Sequence, residues 1–225
     1  MRASVVLRVG NVGYEVRAEA PWSIRRAAGR FLFVSTAAAP VRGDELDVTI
    51  DIAAGAVADI GSVGAMIVWP GPDGAPIGPP SRLSTHIHVG AGAHLDWMPE
   101  PTVSVAGSDH VGRTTVELAD GATCRVVEEY ALGRHAEPCG TLTTDLRVTR
   151  AGVPLVHHGE RFGPGAPRHV LAAVLVGTPV EPFVTIDPAT DVYAACLPAA
   201  VPGVALVLAQ GPDRPAVLRH TPRLP

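Results

Sequence analysis

The chain has 225 residues, 47% of them hydrophobic, and a formal net charge of −4 at pH 7, with a positive mean hydropathy; this suits one folded domain over residues 1–225 whose core buries roughly 70% of the unfolded surface. So small a charge argues against nucleic acid or an anionic membrane as a partner. All 18 basic residues are arginine, which excludes a Schiff-base lysine, a lysine general base and the lysine of a phosphate loop.

No apolar run of signal-peptide length precedes Arg8, so a cytoplasmic protein is expected. From Glu45 to Ile52 the chain alternates, with Leu46, Val48, Ile50 and Ile52 on one side, as a half-buried strand requires. Pro70 to Pro80 reads as a long surface loop rich in proline and glycine. Leu95 and Trp97 share a strand face, and Pro99 and Pro101 end that strand by removing ladder donors. Leu142, Thr144, Leu146 and Val148 repeat the alternation. Asp187-Pro188, a capping residue followed by proline, predicts a short helix to about Leu197. The uncharged run Val192 to Pro212 is long enough to span a membrane, but Pro198, Pro202 and Gly203 interrupt it. Two buried segments joined by a turn explain it better.

A weak repeat runs through these elements. Ile52-Ala-Ala-Gly-Ala-Val, Val89-Gly-Ala-Gly-Ala-His and Leu118-Ala-Asp-Gly-Ala-Thr share one form, and Val148-Thr-Arg-Ala-Gly-Val is a looser copy. Each places glycine (Gly55, Gly92, Gly121, Gly152) where a strand ends, in a turn that suits a hairpin loop. The fold class expected is all-β: layered antiparallel hairpins, stacked like a solenoid, with one or two short helices. An ordinary β-sandwich is the alternative.

Tests for catalytic chemistry give little. His86 and His88 lie on one strand face and His94 follows a turn, a spacing that metal sites use. A histidine-liganded β-fold metalloenzyme is therefore one reading, against exposed or satisfied strand histidines. Gly61-Ser62-Val63-Gly64 lacks the frame of a nucleophile elbow. Asp44-Glu45 and Glu128-Glu129 are adjacent carboxylates, which on a strand point to opposite faces and form no dyad. Cys124, Cys139 and Cys196 have neither metal nor redox spacing and read as buried thiols.

Four segments, in order over about residues 20 to 210, resemble the UreD/UreH family of urease accessory proteins. They are the Gly43-Asp44-Glu45-Leu46 strand with its Gly55-Ala56 turn; Gly92 to Val103, with Leu95, Trp97 and Pro99; Glu128 to the Gly133-Arg134 pair; and the hairpin from Asp145 to Leu155. Between the first two the chain keeps the family's Gly64, Ala65 and aromatic Trp69. The resemblance implies a nearly all-β fold and a role without catalysis. Such proteins bind apo-urease subunits and, through a helical partner (UreF), recruit the GTPase UreG that carries nickel. No cofactor is held tightly; the nickel ion is in transit. On this resemblance Asp44, Glu45 and Glu128 are candidates to line its path, and His158, where some relatives carry a glutamate, stands in as an imidazole.

Overall fold

The computed structural model describes residues 1–71, 74–75 and 77–221. The first four strands, β1 (Arg2–Val9), β2 (Tyr14–Ala18), β3 (Trp22–Ala27) and β4 (Arg30–Ser35), divide two and two between two sheets. The chain then alternates: β5 (Glu45–Ile52) joins the first sheet, β6 (Val57–Ser62) and β7 (Met66–Val68) the second, β8 (Ser81–Val89) the first, and β9 (His94–Met98) and β10 (Thr102–Ser104) the second. Next, β11 (Asp109–Leu118) returns to the first and β12 (Thr123–Leu132) to the second. The first sheet ends with β13 (Thr141–Arg150) and β14 (Val153–Phe162). The second gains β15 (His169–Val176), β16 (Phe183–Asp187), β17 (Val192–Pro198) and β18 (Val204–Gly211), followed by helix α1 (Arg214–His220).

The all-β, layered architecture agrees with the sequence reading; the antiparallel hairpins need correction. Strands β5, β8, β11 and β13 pair in parallel, in register, as do β4, β6, β9 and β12. The glycine turns are arcs that carry the chain from one sheet to the other. Gly55, Gly92 and Gly121 hold φ of 71°, 64° and 70°, and the arcs stack through Gly55 N–H to Ala91 O (2.9 Å) and Gly92 N–H to Asp120 O (3.0 Å). Beneath them Ala56, Ala93 and Ala122 are buried. A hairpin and an arc have the same local signature, glycine at positive φ between two strands, and only the pairing partner tells them apart. The looser copy at Gly152 is the true hairpin, joining antiparallel β13 and β14.

The predicted helix from Asp187 is also absent. Asp187 accepts from Ala189 N–H (3.0 Å) and Thr190 Oγ1 (2.7 Å), which closes a turn, and β17 follows with its antiparallel ladder to β18. Asp-Pro chemistry serves turns as well as helix starts. The cap works instead at Asp213, which accepts from Ala216 N–H at 2.7 Å and opens α1. The run from Val192 becomes β17 and β18, two segments joined by a turn, and among the described residues no helix is long and apolar enough to cross a membrane. Pro72, Asp73 and Pro76 of the predicted loop lie outside the described residues.

The main core lies between the sheets, where Leu7, Ile50, Ile87, Val116 and Val148 of the first meet Ile60, Leu95, Val126 and Val174 of the second. A second cluster covers the outer face of β15 and β18, capped by Val217 of α1.

Candidate functional site

A cavity of about 300 Å³ lies among residues from both sheets, and the strand register explains it. Along the inner face of β11 the residues run His110, Gly112, Thr114, Val116; Gly112 and Thr114 stand beside Leu83 and Thr85 of β8. The row is thus apolar at the arc end, and at the other it becomes polar and loses a side chain at Gly112. In the second sheet β9 pairs with β12 only as far as Trp97–Val126, and β10 resumes at Thr102–Tyr130. Pro99 and Pro101 fall in the break, where neither can donate a ladder bond. Glu128, between those two rows, therefore has no ladder neighbour on that side, and its side chain lines the cavity.

The Glu128 carboxylate accepts Thr114 Oγ1 at 2.5 Å and Tyr130 Oη at 2.6 Å. Burial raises its pKa above the ordinary 4.5, opposed by those two hydrogen bonds and by nearby His158. Burial, with Glu128 beside it, raises the Tyr130 phenol well above its ordinary value. His158 Nε2 is 3.2 Å from Glu160 Oε2, an ion-pair distance off the line of a hydrogen bond. Glu129 points the other way, as strand alternation requires. It is buried beneath α1, where it accepts Arg214 Nε (2.6 Å) and Nη2 (2.9 Å) and contacts His169 Nε2 at 3.1 Å. Arg214 also reaches Glu100, at 3.4 Å, on the cavity side.

Of the four acids and imidazoles singled out from sequence, Glu128 lines the cavity, and the His158 imidazole acts on its carboxylate electrostatically. Asp44 is buried, accepting from Val41 N–H (2.8 Å) and the Met1 amine (2.7 Å). Glu45 pairs with Arg2 at 2.6 Å, both in solvent. The motif residues take structural positions. Gly43 has φ 84°, Leu95 and Trp97 are buried, and Gly64 and Pro99 line the cavity. Gly133 has φ 86°, and a Cβ there would meet Glu137 O at 2.4 Å. Arg134 pairs with Glu137 and lies 5.8 Å from the ring centre of Trp69, which also lines the cavity. His86 and His88 are exposed on β8, whereas His94 sits on β9 in the other sheet and bonds Thr123 Oγ1 at 2.7 Å. Among the described residues no three His, Cys, Asp or Glu are grouped to hold a metal ion. The three cysteines are buried and free.

Sequence reasoning missed His110. It is buried, its Nδ1 is 2.9 Å from Ser81 Oγ, and its Nε2 has no hydrogen-bond partner. Burial pushes its pKa down to about 4, so the ring is neutral at pH 7. The one available signal was its place on the apolar side of an alternating strand.

Comparison with known proteins matches residues 13–194 to the family described as UreD urease accessory protein. Urease accessory protein UreD 3 of Streptomyces griseus is 41% identical over 66% of this chain and 60% of its own length. The UreD of a Parafrankia species is 34% identical over 92% of this chain and 80% of its own. For the Streptomyces coelicolor UreD the values are 33%, 92% and 86%.

Proposed function

Because the chain belongs to the UreD family of urease accessory proteins, we propose that it is a non-enzymatic scaffold for nickel insertion into apo-urease, acting in the cytoplasm with UreF and, through UreF, the GTPase UreG. The observation that carries this reading is the cavity between the sheets, with the Glu128 carboxylate inside it. A cargo ion has to leave again, so single donors in series suit it better than a closed set of three or four ligands, which would trap it. A carboxylate held by two hydroxyls, in a space where water can complete the coordination, is such a donor. His158, which acts electrostatically on Glu128, is the imidazole candidate for the same path. Asp44, just before β5, and Glu45, its first residue, lie outside the cavity lining and remain donor candidates only for a stretch of path beyond it.

The test is a pull-down from a urease-positive host, read by mass spectrometry, together with metal analysis of the purified chain. Urease subunits and UreF recovered without stoichiometric metal support the scaffold. A tightly bound, stoichiometric metal with no urease subunits would favour a metalloenzyme instead.

A further inference from the structure

His110 has a nitrogen with nothing to do. Ser81 Oγ donates its proton to Asp109 O at 3.3 Å. With its proton placed there, it accepts at its second contact, 2.9 Å away, from His110 Nδ1–H. In that tautomer Nε2 carries no proton and presents a lone pair. The residue is 1% exposed, and no protein group donates to Nε2. A buried acceptor left unpaired is unfavourable, so a partner that the fold does not supply is called for. The nitrogen lies over the hollow at Gly112, 3.8 Å from where a Cβ would stand, and both residues line the cavity. Thr114, which holds Glu128, is two residues beyond Gly112 and four beyond His110 on the same face of β11, roughly 13 Å from His110 by strand rise.

From this arrangement we infer that His110 Nε2 is a transient ligand for a divalent cation of borderline softness crossing the cavity, with Glu128 of β12, held by Thr114 of β11, the next donor. The inference rests on the nickel path proposed above and adds a station to it. Neutral imidazole suits nickel better than magnesium or calcium, which prefer oxygen. One nitrogen, with water in the remaining positions, binds weakly enough to release. Ser81 is the positioning residue, since it aims the lone pair.

The probe is Ni²⁺ alone, titrated into the full chain carrying His86→Ala and His88→Ala to thin out surface binding, and followed by paramagnetic broadening of histidine ring resonances. Broadening of the His110 signal is expected, and His110→Phe should weaken the corresponding binding at least about tenfold, the scale on which even outer-shell partners act. Since His110→Phe also removes the buried contact to Ser81, Gly112→Ala is the second variant. Its methyl would stand 3.8 Å from Nε2 with no other atom within 4 Å, so it should cover the lone pair in a folded protein and lower affinity likewise. Broadening confined to exposed histidines, or unchanged affinity in both variants, would overturn the assignment. Nickel in co-expressed urease separates the two levels of the argument. If urease loads equally with and without the parent chain, the maturation role fails; if only His110→Phe loads and binds as the parent does, the role stands and His110 is not a station.

Discussion

Thr114 of one sheet donates to Glu128 of the other, Oγ1 to Oε1 at 2.5 Å, across the space between them. The bond ties β11 to β12 where the apolar core gives way to the cavity, and it holds a carboxylate where burial opposes its charge. Glu128 has its pKa raised above 4.5 in the folded chain. Its ionised form therefore costs stability above the folded pKa, and that cost disappears as the pH falls below the unfolded value.

Glu128→Gln removes the buried charge and keeps an oxygen for Thr114. At pH 7 the variant is expected to melt no lower than the parent, with any advantage narrowing as the pH falls toward 4.5. Thermal unfolding at a series of pH values reads this. A variant that melts well below the parent at neutral pH would show that the hydrogen bonds to the carboxylate outweigh its desolvation.

Trp97 is buried and stacks edge-on against Phe33, ring centres 5.9 Å apart at 83°. Trp97→Ala should destabilise the chain by roughly 3–5 kcal/mol, the usual range for a buried aromatic. Chemical denaturation gives the number. An unchanged midpoint would mean that the wall of the cavity does not depend on the indole.

Glu129 has the opposite electrostatics. Burial opposes its charge, but the hydrogen bonds of His169 and Arg214 prevail and hold its pKa down to about 2. A depressed carboxylate pKa gives stability that is present above the unfolded value and lost as the pH falls through the folded one. Here that stability is lost between about pH 4.5 and 2. Arg214→Ala leaves the buried carboxylate with His169 alone and should cost roughly 3–5 kcal/mol at pH 7. The comparison of denaturation midpoints at pH 7 and pH 3 checks both statements, since the difference between parent and variant should shrink in acid.

How much of this the sequence disclosed depended on the range of the interaction. Alternation at Leu46 to Ile52 and at Leu142 to Val148 correctly marked strands, because side-chain period is local. The turns at Gly55, Gly92 and Gly121 were found for the same reason, but which sheet each following strand joins is decided by partners about 30 residues away. The Asp187 cap was legible and its use was not, since the ladder between β17 and β18 overrides a local helix signal. Glu128 was found through resemblance to relatives. His110 went unnoticed because an orphaned nitrogen exists only in three dimensions.

The high apolar content has a visible consequence at one end of the second sheet. Val184, Ile186, Tyr193 and Leu197 of β16 and β17 are exposed, at 73%, 64%, 44% and 45%. A face of that kind lowers solubility. The chain expressed alone should be poorly soluble, and co-expression with UreF should relieve this, as should Val184→Thr with Ile186→Thr. Equal soluble yields in all three conditions would remove the face as the cause.

Passage of nickel through the cavity is read most directly from the nickel content of urease. Asp44→Ala, Glu45→Ala and Glu128→Ala, singly and together, are co-expressed with urease and the other accessory proteins, and the metal in purified urease is measured beside assembly of the accessory complex. Nickel is expected to fall in the triple variant while the complex still assembles, with Glu128→Ala giving the largest single loss. Full nickel loading in the triple variant would contradict the path and leave the scaffold role alone.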